Sequence, residues 1–285
     1  MRTLLAQLAP VPGDVGRNVE RVAAAVRATR CDLAVFPELY LSGYRIGDRF
    51  HRLALKEGDA SLAALRAVAR DSGTTLVMGA PLASTERAGE VYNAAIALLP
   101  GGELKVQVKR YLPTFGPFEE GVPFTPTDTS APMVLAGGAV GVEICYDVFF
   151  PEVSRQLALG GAGLLVVISA SPVTSRRLFE RLLPARAIEN GLPILYVNRV
   201  GVEDGVVFGG GSGGWDPRGE PMPTTPVTFT PADPEESLSL VEIDLTESAR
   251  WRPFRPVLRD VAGRPGVPAS APPPSEVRSI PTRPL

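Results

Sequence analysis

Three reactive side chains stand at the ends of three apolar runs. Glu38 follows DLAVFP, Lys109 closes ELKVQVK, and Cys145 closes GVEIC. In α/β proteins the C-terminal ends of buried strands form the rim where ligands bind. A rim that gathers a carboxylate, an amine and a thiol is sufficient for acyl transfer. The thiol is the nucleophile, the carboxylate its base, and the ammonium stabilises the oxyanion. Lys109 and the start of a following helix favour the thiolate, while Glu38 opposes it but accepts its proton. Taken singly, each residue has a plainer reading: a buried thiol, a solvated loop glutamate, a surface cation. Only the set makes a site.

What the sequence lacks narrows the chemistry further. Among 285 residues there is one histidine, His51. Multi-histidine metal sites are excluded, and any Ser-His or Cys-His mechanism must use His51 or fail. No metal and no cofactor is expected. Gly210–Gly214 matches G-x-S-x-G, and Gly209, Gly211 and Gly214 match G-x-G-x-x-G, but a turn, WDPRG, follows instead of a helix. Two cysteines, Cys31 and Cys145, make neither a disulfide framework nor a zinc pattern, so a reducing cytoplasm is the expected location. The net charge of −2 gives no footprint for nucleic acid or anionic membrane. No apolar run reaches the roughly 18 residues of a membrane span. MRTLLAQLAPVPGD reads as a poor signal peptide.

The elements that must position these residues follow from periodicity and from Gly and Pro punctuation. Strands are expected at 4–8, 32–36, 74–79, 138–145, 164–169 and 193–200, and a hairpin at 94–99 and 103–109 around Pro100-Gly101-Gly102. Helices are expected at 18–30, 59–71, 151–159 and 175–190, two of them closed by Gly73 and Gly191. Strands mixed with helices indicate an α/β protein whose sheets are covered by helices. Periodicity alone leaves one doubly wound sheet and two stacked sheets both open. Residues 1–250 read as one domain. Residues 251–285 hold nine prolines and few aliphatics, too few for a core. They read either as a disordered tail or as an extended arm on a partner subunit, anchored by Trp251 and Phe254.

Three segments carry a resemblance. FPELYLSGY (36–44), KRYLPTFGPFEEG (109–121) and GVEICYDVFFPE (141–152) resemble the three catalytic segments of the nitrilase, or carbon–nitrogen hydrolase, superfamily. QLAPVPGDVGRN (7–18), RAIENGLPILYVNRVG (186–201), GGGSGGWDPRGE (209–220) and VEIDL (241–245) support it. KRYLPTFGPFEEGVPF most resembles the glutaminase portion of glutamine-dependent NAD synthetases. The sequence also looks like stand-alone bacterial amidohydrolases.

The resemblance implies a four-layer α-β-β-α sandwich. It also implies subunits paired through helices into a homodimer or higher homo-oligomer, with C-terminal arms crossing between them. It carries a catalytic triad onto Glu38, Lys109 and Cys145 and a second glutamate onto Glu120, with Glu119 as the other register. The expected reaction is hydrolysis of a small carboxamide through a cysteine thioester. The alternatives are a nitrilase, a glutaminase-type subunit supplying ammonia to a separate synthetase, and a structural dimer that does not use its site. For substrate binding, Phe115, the loop 171–175 and Tyr146, whose backbone N–H would share the oxyanion, are the candidates. Arg176 and Arg177 are candidates for pairing a substrate carboxylate.

Overall fold

The first strand, β1 (Arg2–Gln7), sends alternate side chains into two different cores. Leu4 and Ala6 join one buried cluster and Leu5 the other. Period-two alternation with both faces apolar is the mark of a strand covered on both sides. The computed structural model describes residues 1–262 and 264.

Helix α1 (Val15–Arg27) starts at Asp14, whose side chain accepts the Arg17 N–H at 2.9 Å. It buries Val19, Val22 and Val26. Strand β2 (Leu33–Val35) pairs parallel with β1. A short helix α2 (Phe50–Leu53) precedes α3 (Ala60–Ser72), which ends at Gly73 in the left-handed conformation, φ 68°. That cap suits glycine because it has no Cβ to clash. Strand β3 (Thr75–Ala83) runs parallel to β2, and β4 (Val91–Leu98) and β5 (Leu104–Val108) follow as an antiparallel meander.

The second sheet begins with β6 (Met133–Leu135) and β7 (Gly138–Ile144). Helix α4 (Pro151–Leu159), strand β8 (Leu164–Ser169), helix α5 (Arg176–Asn190) and strand β9 (Ile194–Asn198) complete two parallel crossovers. A small ribbon, β10 (Val202–Glu203) and β11 (Val206–Val207), stands apart. Strand β12 (Gly213–Trp215) pairs with β9. The chain then returns to the first sheet through β13 (Thr225–Pro226) and β14 (Ser237–Glu242), the latter antiparallel to β1. The sheet orders are β13-β14-β1-β2-β3-β4-β5 and β12-β9-β8-β7-β6.

Two cores fix the layering. Val19, Val22, Leu62 and Leu65 of α1 and α3 pack on one face of the first sheet. Its other face, through Leu5, Val35 and Val77, packs with the second sheet, whose far side meets Val153 and Leu157 of α4 and Phe179 and Leu183 of α5. The order is therefore α-β-β-α, the four-layer sandwich expected and the second of the two architectures that periodicity left open.

Of the stretch read as a tail or extended arm, residues 251–262 and 264 are described. Two short helices, α6 (Glu247–Trp251) and α7 (Val257–Val261), turn back on the chain. Trp251 is half-buried, with the Arg218 guanidinium 5.2 Å from its ring centroid, and Phe254 is exposed. The rest of that call lies outside the described residues. Among the described residues, no helix is long and apolar enough to cross a membrane.

Candidate active site

Glu38 reaches the site because β3 lets its backbone come close. Gly79 N–H donates to the Pro37 carbonyl at 2.9 Å, and Leu41 N–H donates to the Gly79 carbonyl at 3.2 Å. A Cβ at Gly79 would lie 2.1 Å from Leu39 N and 2.5 Å from Glu38 Cα. The chain then doubles back through Leu39, whose φ is 47°. The Glu38 carboxylate is fully buried. Its Oε1 accepts from Lys109 Nζ at 2.6 Å and from Asn93 Nδ2 at 2.8 Å, and its Oε2 accepts from Ala170 N–H at 2.9 Å.

Lys109 continues β5, its N–H bonded to the Asn93 carbonyl at 2.9 Å. Its buried ammonium also donates to Glu120 Oε1 at 2.7 Å. Glu120 takes a further bond from the Tyr44 hydroxyl and one from Asn93 Nδ2 at 3.3 Å. Glu119 is exposed. Of the two adjacent glutamates, Glu120 is the buried one and faces Lys109.

Cys145 ends β7 and opens a 3₁₀ turn, Cys145–Phe149, with φ 49°. For a residue bearing a Cβ the left-handed region costs about 1–2 kcal/mol. The surroundings hold it there. Asp147 accepts the N–H groups of Ile144 at 3.2 Å, Arg110 at 3.1 Å and Tyr111 at 2.9 Å. One buried carboxylate thus ties the cysteine turn to the segment after Lys109. Ser169 Oγ donates to Cys145 Sγ at 3.2 Å, and the next residue, Ala170, holds Glu38. The end of β8 therefore grips the sulfur and the carboxylate with adjacent residues.

Burial works against the charge on Lys109, but Glu120 and Glu38 outweigh it and its pKa is raised. Burial, with Glu38 next, pushes the Cys145 thiol well up; Lys109 and the Ser169 hydroxyl pull the other way and lose. Lys109 favours the thiolate and Glu38 opposes it, as expected, but burial is the largest influence and the thiol stays protonated near neutrality. Burial pushes Glu120 up to about 7 against the pull of Lys109, with Glu38 adding to the rise.

Above the sulfur lies a cavity of about 90 Å³ whose walls include Tyr44, Phe115, Phe118, Tyr146 and Phe149. The Phe115 and Tyr146 rings meet edge-on at 5.3 Å. Arg176, expected at the substrate, is outside this cavity. Its exposed guanidinium pairs with Glu180 at 3.0 Å, because both lie on the solvent side of α5 one turn apart. Arg177 is exposed as well. Sequence reasoning missed Asn93, Ser169 and the role of Tyr44. Tyr44 ends the FPELYLSGY segment and was within reach; Asn93 stands just before the expected hairpin strand 94–99, and Ser169 ends a strand that reads only as core. Among the described residues, no group of three or more His, Cys, Asp or Glu side chains is placed to hold a metal ion.

The family model for carbon-nitrogen hydrolases matches residues 3–253. The chain belongs to the carbon-nitrogen hydrolase family. This carbon-nitrogen hydrolase is 35% identical over 271 residues to a glutamine-dependent NAD(+) synthetase of Rhodobacter capsulatus, covering 93% of this chain and 47% of that longer protein. It spans about half the length of the NAD synthetases it resembles. It is 34% identical to an (R)-stereoselective amidase of Pseudomonas sp, with 91% of each chain covered. Among solved structures, a glutamate-to-glutamine mutant of the amidase from Nesterenkonia sp. AN1 superposes with a TM-score of 0.74. It is 31% identical, and the match covers 91% of this chain and 95% of that one. That structure shows the acetamide moiety of fluoroacetamide added covalently at the active-site cysteine.

Proposed function

We propose that this carbon-nitrogen hydrolase cleaves the C–N bond of a small carboxamide through a thioester on Cys145. The observation that carries the reading is the buried Glu38, held by Lys109 Nζ at 2.6 Å and Ala170 N–H at 2.9 Å, one residue from the hydroxyl that holds the Cys145 sulfur. The covalent adduct at the active-site cysteine of the Nesterenkonia amidase, in which the amide is kept, supports a cysteine nucleophile.

Because the thiol is protonated, attack needs a base. Glu38 takes the proton as sulfur bonds to the carbonyl carbon. Lys109 and the backbone N–H of Tyr146, in the first turn of the 3₁₀ segment where amides lack an intrahelical acceptor, stabilise the oxyanion. Glu38 returns the proton to the leaving nitrogen, the C–N bond breaks, and ammonia or an amine departs. Glu38 then deprotonates water, which attacks the thioester and expels the thiol and the acid. Glu120, bonded to both Lys109 and Asn93, orients the ammonium. The relatives named amidase favour a carboxamide over a nitrile.

The test is a panel of matched amides and nitriles assayed on the wild type and on Cys145→Ala and Cys145→Ser. Amide turnover should vanish in both variants while the circular dichroism spectrum is kept. A Cys145→Ala protein retaining a tenth of the wild-type rate would end the covalent mechanism, and nitriles outpacing amides would replace the substrate. The proposal includes a homodimer or higher homo-oligomer, which sedimentation velocity checks.

A further inference from the structure

We propose, on the basis of the amidase reading above, that the acyl group accepted at Cys145 is uncharged and apolar. Glutamine and ω-amides that end in a carboxylate are then poor substrates.

The cavity that contains Cys145 is walled by Phe115, Phe118, Phe149, Leu178 and Phe179, with hydroxyls of Ser171 and Ser175 among its polar lining. Among the described residues no charged side chain lines it. The Tyr44 hydroxyl, on the same wall, is already given to Glu120. A carboxylate or ammonium placed here would lose its water and gain no ionic partner, which is expensive in an apolar site. The two arginines nearest in sequence do not help. Arg176 is paired with Glu180, and both it and Arg177 are exposed.

A second hollow of about 290 Å³ lies beyond Tyr44 and is lined by charged side chains, Arg45, Asp48, Glu119, Glu120 and Asp204. It does not include Cys145, and among the described residues Tyr44 is the only wall the two share. Its arginine is also occupied, since Arg45 pairs with Asp204 at 2.7 Å. An amide whose carbonyl sits at the sulfur therefore projects its acyl chain among the phenylalanines. A water-sized group needs roughly 10–15 Å³ by this measure, so about 90 Å³ takes about six to nine such groups. That suits a short aliphatic or single-ring acyl chain.

Hexanamide and glutaramate, H₂NCO–(CH₂)₃–COO⁻, are nearly equal in length and differ at the far end in charge. The expected kcat/KM of the wild type for hexanamide exceeds that for glutaramate and for glutamine by at least about 100-fold. Leu178→Arg puts a cation on the half-exposed wall and should narrow the hexanamide-to-glutaramate ratio at least tenfold. A wild-type ratio below tenfold, or a ratio that Leu178→Arg leaves unchanged, overturns the assignment. Glutamine turnover with hexanamide inert overturns it while the amidase reading stands. Failure of every amide, charged or not, sinks the amidase reading and this inference with it.

Discussion

Three of the roughly four hydrogen-bonding positions that Glu38 offers are met by donors: the Lys109 ammonium, the Asn93 amide and the Ala170 N–H. A carboxylate so surrounded is fixed in place, and its only remaining freedom is to accept a proton. Glu38→Gln keeps the shape but removes the base, and it also turns an NH₂ toward one of those donors. The thiol, already pushed up by burial and by Glu38, then has nothing to take its proton. General-base assistance is worth about 10²- to 10⁴-fold, so kcat/KM for amides should fall by that much, and intact-mass spectra should show no accumulated thioester. An acyl adduct at full occupancy in Glu38→Gln would contradict the role. The residues proposed to carry the chemistry were legible because each stands at the end of an apolar run, which places it on the rim. Asn93 and Ser169 were not, since an Asn or Ser inside a buried strand has the same sequence appearance whether it satisfies a backbone or a catalytic group.

At the scale of elements, the site depends on two close approaches. One is Gly79, read from sequence only as the end of a strand; in fact β3 runs on to Ala83 and the glycine marks where Glu38 crosses it. Gly79→Ala forces its Cβ into Leu39 N and Glu38 Cα, both backbone-linked atoms that cannot rotate away. Overpacking of this kind costs about 1–3 kcal/mol, and a displacement of about 1 Å at a catalytic group costs about 10²-fold in rate. The variant should therefore melt lower and lose at least tenfold in kcat with an intact Cys145. Thermal denaturation and iodoacetamide labelling measure both, and an unaltered kcat would show that the strand yields without moving Glu38. The other approach is Asp147, which gathers three N–H groups from two segments and was visible only as part of the motif around the cysteine. The long helices and the parallel strands were legible from periodicity. The strands β6, β10, β11, β12 and β13 were not, because two or three residues carry no measurable period.

For the molecule as a whole, the first sheet supplies Glu38 and Lys109 and the second Cys145, so the proposed catalytic set exists only when the two are packed. The second sheet also carries a charge problem. Glu143 on β7 is fully buried; one oxygen accepts from Ser154 Oγ at 2.7 Å and the other has no partner among the described residues. Burial raises its pKa to about 8, with Ser154 and Arg186 lowering it and Asp147 and Glu189 raising it. The folded chain thus holds a proton that the unfolded chain releases at ordinary carboxylate pH. Between roughly pH 4.5 and pH 8 the native state binds more protons, so this group's contribution is complete at low pH and is lost as pH rises through about 8. The slope reaches at most about 1.4 kcal/mol per pH unit. Glu143→Gln is neutral throughout. Its melting temperature minus that of the wild type should be small near about pH 5 and climb by several degrees toward about pH 8 and above. Glu120 and Asp147 also have raised values and tilt stability the same way, but they are present in both proteins and largely cancel in the difference. A difference that stays flat across that range would mean that Glu143 is already ionised in the folded protein, and that the unpartnered oxygen has found a cation or water.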